Sequence, residues 1–116
     1  MKVVEYLQIT MSRMCGGTGD EQAATAEVQS LVDSVRDGVA AQLGQQPAQL
    51  TATHYKSQVV AGTNYFVRVH IGGDKHIHLR IYKHFSGTVA LHGVRHHEAG
   101  GVGATEGLEY FDQNVN

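Results

Sequence analysis

At 116 residues the chain is one domain's worth, and 41% hydrophobic with 17% charged residues is the balance of a folded globular protein with a single core. A formal net charge of −2 without a long basic run argues against nucleic-acid binding through a basic patch. The one cysteine, Cys15, excludes an internal disulfide, the opening residues lack the apolar core of a signal peptide, and no stretch approaches the roughly 18 apolar residues of a membrane span; the expected compartment is cytoplasmic or nuclear, with no membrane partner.

Residues 15–20 (Cys-Gly-Gly-Thr-Gly-Asp) read as a flexible lead-in, because glycine costs the most entropy to order. Thr18 to Glu21 has the pattern of a capping box. From 21 to 43 the apolar spacing is helical: Val28, Leu31, Val32, Val35, Val39 and Leu43 recur at three- and four-residue steps, opposite Glu27, Ser30, Asp33, Arg36 and Asp37. The expectation is one amphipathic helix of about six turns, weakened by Gly38 and stopped by Gly44 and Pro47.

Beyond Pro47 the pattern switches to strands. Residues 50–60 are rich in β-branched and aromatic side chains. Residues 63–71 alternate, with Tyr65, Val67, Val69 and Ile71 on one face; residues 76–83 alternate with Ile77, Leu79 and Ile81 on one face. A two-residue loop at Gly73-Asp74 would pair Ile71 with His76 and split the apolar set between faces. A loop of Gly73, Asp74 and Lys75 pairs Ile71 with Ile77 and Val69 with Leu79, so that register is expected. It also sets His70 opposite His78. Residues 89–94 form a weaker strand, 93–107 a glycine-rich loop, and 108–111 a last edge strand.

The hairpin between the first two long strands is Gln58-Val59-Val60-Ala61-Gly62, and its tip is small and apolar where loops are normally polar. Two readings stand on the residues alone. One is a tight hairpin with its valines half buried. The other is a wedge held out for a partner's groove.

Gln58 to Gly62, followed by Thr63-Asn64-Tyr65-Phe66, resembles the hallmark of the cystatin superfamily in its stefin form, over nine consecutive residues. Met14-Cys15-Gly16-Gly17, His78-Leu79-Arg80 and Leu108-Glu109-Tyr110-Phe111 resemble further stefin segments. The resemblance implies an α+β cystatin fold, one long amphipathic helix on a four- to five-stranded antiparallel sheet. The domain then spans 14–111, between an extension over 1–13 and a short tail over 112–116. It further implies a non-enzymatic, reversible and tight-binding inhibitor of papain-like cysteine proteases such as lysosomal cathepsins. The inhibitor plugs the active-site cleft with a trunk (Met14, Cys15, Gly16), a first loop (Gln58, Val59, Val60, Ala61, Gly62) and a second loop near Phe85 and Ser86. A glycine at 16 would let the backbone approach the catalytic thiolate without a clashing side chain.

Three features depart from the stefin pattern: Phe85-Ser86 stands where Leu-Pro is common, residues 1–13 precede the usual start, and the segment after Val94 is rich in glycine and histidine. Eight histidines also open an alternative, a non-inhibitory module that binds metal through His70, His76 and His78. The blander reading is a solvated outer sheet face, and no cofactor is expected. Cys15 has no base fixed beside it, and the glycines that follow lack the lysine of a phosphate loop. A monomer able to form a strand-swapped dimer through the first loop is expected.

Overall fold

The computed structural model describes residues 18–96 and 107–115. Seven elements follow one another: β1 (Gln22–Ala23), α1 (Ala26–Ser34), α2 (Arg36–Leu43), β2 (Thr51–Val60), β3 (Gly62–Gly72), β4 (Lys75–Lys83) and β5 (Val89–Arg95). The strands form one antiparallel sheet in chain order, and the helices cover one face, which is the α+β architecture expected.

The helical stripe is where the spacing predicts it. Val28, Leu31, Val32, Val35 and Val39 pack against Val67, Val69, Ile77, Leu79, Ile81 and Val94 of the sheet. The single long helix is corrected to two. It starts at Ala26, where the Thr25 hydroxyl accepts from the Val28 N–H at 3.2 Å, and it breaks at Val35 (φ −111°, ψ 14°). Val35 stays buried, so the apolar stripe runs through the break unchanged. Gly44 ends α2 in the left-handed conformation at φ 80°. The residues read as the helix's first turn instead form β1, pairing Gln22 with Tyr55 and Ala23 with His54. The Gly19 N–H continues this edge by donating to the Ser57 carbonyl at 2.8 Å.

The β3–β4 register is also corrected. Val69 pairs with Ile77 and Val67 with Leu79, and the turn is the two-residue Gly73-Asp74 closed by Gly72 and Lys75. A bulge at Ile71, between the His70 and Gly72 pairs, absorbs one residue and keeps the apolar set on one face. His70 therefore faces His76, and His78 faces Arg68.

The outer sheet face is not a bare solvated surface, and residues 108–111 are not a strand. Phe66, Arg68 and His78 are buried on that face. The carboxyl-terminal segment lies across it, with Tyr110 and Phe111 at 5.5 and 5.8 Å from the Phe66 ring. Arg80 donates to the Phe111 carbonyl at 2.9 Å. Gly93 is needed beneath this segment, since a Cβ there would lie 2.8 Å from the Phe111 ring. Beyond it, Asn114 exchanges two side-chain hydrogen bonds with the Val94 backbone, at 2.9 and 3.0 Å. The stretch read as a tail is thus tied to β5.

Candidate functional site

At one end of the sheet two hairpins present apolar tips. The first turns so tightly that Val60 pairs with Gly62, leaving Ala61 alone at the apex. Gly62 sits at φ 115°, and a Cβ there would lie 2.6 Å from the Lys83 carbonyl and 2.8 Å from the Tyr82 hydroxyl. Any other residue would be strained and would clash. Val59 is 83% exposed and Val60 46%. Gln58 stands at the base of the loop rather than its tip. It is buried, and its side-chain carbonyl accepts from Asn64 Nδ2 at 3.1 Å, across the β2–β3 pair.

The second hairpin joins β4 to β5. The His84 N–H donates to the Thr88 carbonyl and the Gly87 N–H to the His84 carbonyl, each at 2.8 Å. Phe85 projects from this turn with 78% exposure. Ser86 is braced from behind: its N–H donates to His84 Nδ1 at 3.1 Å, and its hydroxyl lies 2.8 Å from the same nitrogen. The Thr63–Lys83 pairing sets the loops side by side, and Val59 to Thr63, Tyr65 and Lys83 to Phe85 line the shallow groove between them.

Neither loop tip carries a charge. The nearest cation, Lys83, is paired with Glu27 at 3.1 Å. Burial, and next the Glu27 carboxylate, push the Tyr65 phenol above its ordinary value. The edge therefore offers mainly apolar surface and backbone groups, and the His84 imidazole in its lining is engaged by Ser86.

The structure brings Val59, Val60, Ala61, Gly62, Phe85 and Ser86 together, with Gln58 behind them. Met14, Cys15 and Gly16 lie outside the described residues. Sequence reasoning missed Asn64 and Tyr82, whose importance comes from cross-strand neighbours, and His84, whose bonds to Ser86 form only in the folded turn. Among the described residues no group of three or more histidine, cysteine or acidic side chains could hold a metal.

The described residues form one sheet packed on helices, with paired apolar hairpin tips at one end. The cystatin domain matches residues 16–92, more than half of the chain, and the chain belongs to the cystatin family. Its likeness is to the cystatin-B type. The Cystatin-B of Oplegnathus fasciatus is 39% identical over 89 residues, covering 74% of this chain and 89% of the relative. That of Paralichthys olivaceus is 44% identical over 70 residues (60% of this chain, 71% of the relative), and that of Homo sapiens 43% over 70 residues with the same coverage. The chain is accordingly a stefin-type inhibitor of cysteine proteases and not an enzyme.

Proposed function

We propose that this end of the sheet plugs the active-site cleft of papain-like proteases such as lysosomal cathepsins, reversibly and in the cytoplasm or nucleus. The observation that carries the reading is exposure. Of the large hydrophobic side chains exposed among the described residues, Val59, Val60 and Phe85 share this edge, and only Tyr110 lies elsewhere. Val59, Val60, Ala61 and Phe85 are the contact surface, Gly62 and Ser86 shape the turns, and Gln58 fixes the base. The proposal assigns the trunk to the same edge. Gly19 is bonded to Ser57, two positions from Val59, and three to five residues of chain reach about 10–17 Å. On that chain length the proposal includes Met14, Cys15 and Gly16 as the trunk that enters the same cleft. Both loops are closed by backbone hydrogen bonds before docking, so little ordering entropy is lost there.

Titration of papain with the full chain tests this. Activity should fall in proportion to added protein and return on dilution. Val59→Asp should raise the inhibition constant at least about tenfold with an unchanged melting temperature, because it places a charge in an apolar contact. Full protease activity in large molar excess of the wild-type chain at neutral pH would reject the reading.

A further inference from the structure

We propose that Tyr82 is a positioning residue of the wedge, holding the tip of the first loop in its docking conformation through its hydroxyl. This rests on the reading that the loops enter a protease cleft. Tyr82 lies on β4, the strand that leads into the second loop, and its hydroxyl donates to the Ala61 carbonyl at the apex of the first. Ala61 is the single residue between paired Val60 and Gly62, and its neighbours Val59 and Val60 point into solvent. Gly62 and Tyr82 are fitted to each other, since a Cβ at 62 would meet the phenol oxygen and ring carbon at 2.8 and 3.0 Å.

The phenol is itself held on two sides. Its ring stacks on His92, with centroids 5.2 Å apart and planes 12° from parallel. The His92 carbonyl accepts from the Asn114 and Val115 N–H groups at 2.8 and 3.0 Å, which fixes that strand position from the carboxyl-terminal segment. On the other side the edge of the ring meets His84 at 6.2 Å, and His84 is the residue that braces Ser86 and lies 4.0 Å from the Phe85 ring. One side chain thus reaches the apex of the first loop and abuts the brace of the second.

The physical consequence is pre-organisation. A loop that is docking-competent only part of the time binds with an affinity reduced by that fraction. Without the phenol oxygen the Ala61 carbonyl turns to water, at small cost to folding, because the contact is exposed. The apex then samples other conformations before it meets the enzyme.

The experiment compares the full-length wild-type chain with Tyr82→Phe, which deletes the hydroxyl and keeps the stacked ring. Tyr55→Phe is the control. It removes a hydroxyl that donates to Gln22 of β1 at 3.4 Å and not to either loop. Tyr82→Phe should raise the inhibition constant against papain about three- to tenfold, the worth of one hydrogen bond. Its melting temperature should stay within about 2 °C of wild type, and backbone order parameters should fall only at residues 59–63. Tyr55→Phe should inhibit like wild type. An unchanged inhibition constant for Tyr82→Phe overturns the proposal, as does a raised one with unchanged loop order. Should the wild-type chain fail to inhibit papain, the wedge reading fails first. Loop order in the free protein then decides Tyr82 alone: a fall at 59–63 upholds the clamp, and no change removes it.

Discussion

His92 shows how one side chain ties stability to pH. It is half-buried beside Tyr82, and burial, followed by the Arg80 guanidinium, holds its imidazole below the ordinary value. The folded chain therefore prefers the neutral ring, while the unfolded chain takes up a proton near about pH 6.5. Stability from this group is complete above that pH, is lost as pH falls from it through the lower folded value, and then levels off. Thermal melts at about pH 7.5 and about pH 5.5, on either side of an ordinary imidazole, should show a drop. His92→Phe keeps a flat ring against Tyr82 and cannot titrate, so its drop should be smaller. Equal drops in the two proteins would show that His92 does not contribute. The residues of the proposed wedge differ in how far they were legible. Val59 and Val60 stand out in sequence because apolar side chains are unusual at hairpin tips, whereas Phe85 was reached only through the resemblance to the stefin second loop. Tyr82 and His84 do not, since nothing local marks a phenol whose partner is a carbonyl 21 positions away.

Among the elements, periodicity pinned faces and left partners open. Every residue of the predicted helical stripe from Val28 to Val39 is buried, yet the break at Val35 left no trace, because it did not change the phase of the stripe. In the β3–β4 hairpin, sliding one strand by two residues keeps all side chains on their faces. Alternation therefore could not separate the expected pairing from the observed one, and the bulge at Ile71 has no signature in it. The segment from Leu108 to Phe111 looked like an edge strand because it is apolar and aromatic. It uses those same residues to cap the outer face instead. A second irregularity, between Ala52 and His54 of β2, is handled by α1. Gln29 accepts from the Ala52 N–H and donates to the Leu50 carbonyl, both at 2.8 Å. Gln29→Ala strands both backbone groups in a part-buried site and should cost about 1–3 kcal/mol in urea unfolding. Because this joint is at the start of β2, at the far end of the strand from the loops, protease inhibition should be unchanged in protein that remains folded. Wild-type stability in this variant would mean that water replaces the amide without loss.

For the whole molecule, the connection between halves is the first loop. β1, α1, α2 and β2 precede it, β3, β4 and β5 follow it, and β2 pairs with β3 from Thr51 to Val60. The core is shared: the helical valines of the first half pack on Val67, Val69, Leu79 and Ile81 of the second. If the hairpin opens at Ala61, the β-branched Val59 and Val60 favour a straight backbone. β2 and β3 can then run on as one strand. The first half of one chain would dock on the second half of another with the same side-chain contacts, so exchange costs little at equilibrium. It requires the β2–β3 pair and the helix packing to separate first, so it should be slow under native conditions and quick near the unfolding midpoint. The loop consumed by the exchange is the one proposed to enter the protease cleft. Partial denaturation and refolding at high concentration, followed by size-exclusion chromatography, should yield a dimer that does not inhibit papain and a monomer that does. Tyr82→Phe should shift the mixture toward dimer, because the clamp on Ala61 exists only in the closed hairpin. A dimer that inhibits fully without dissociating during the assay would refute exchange at this loop, since a straightened strand has no apex to insert.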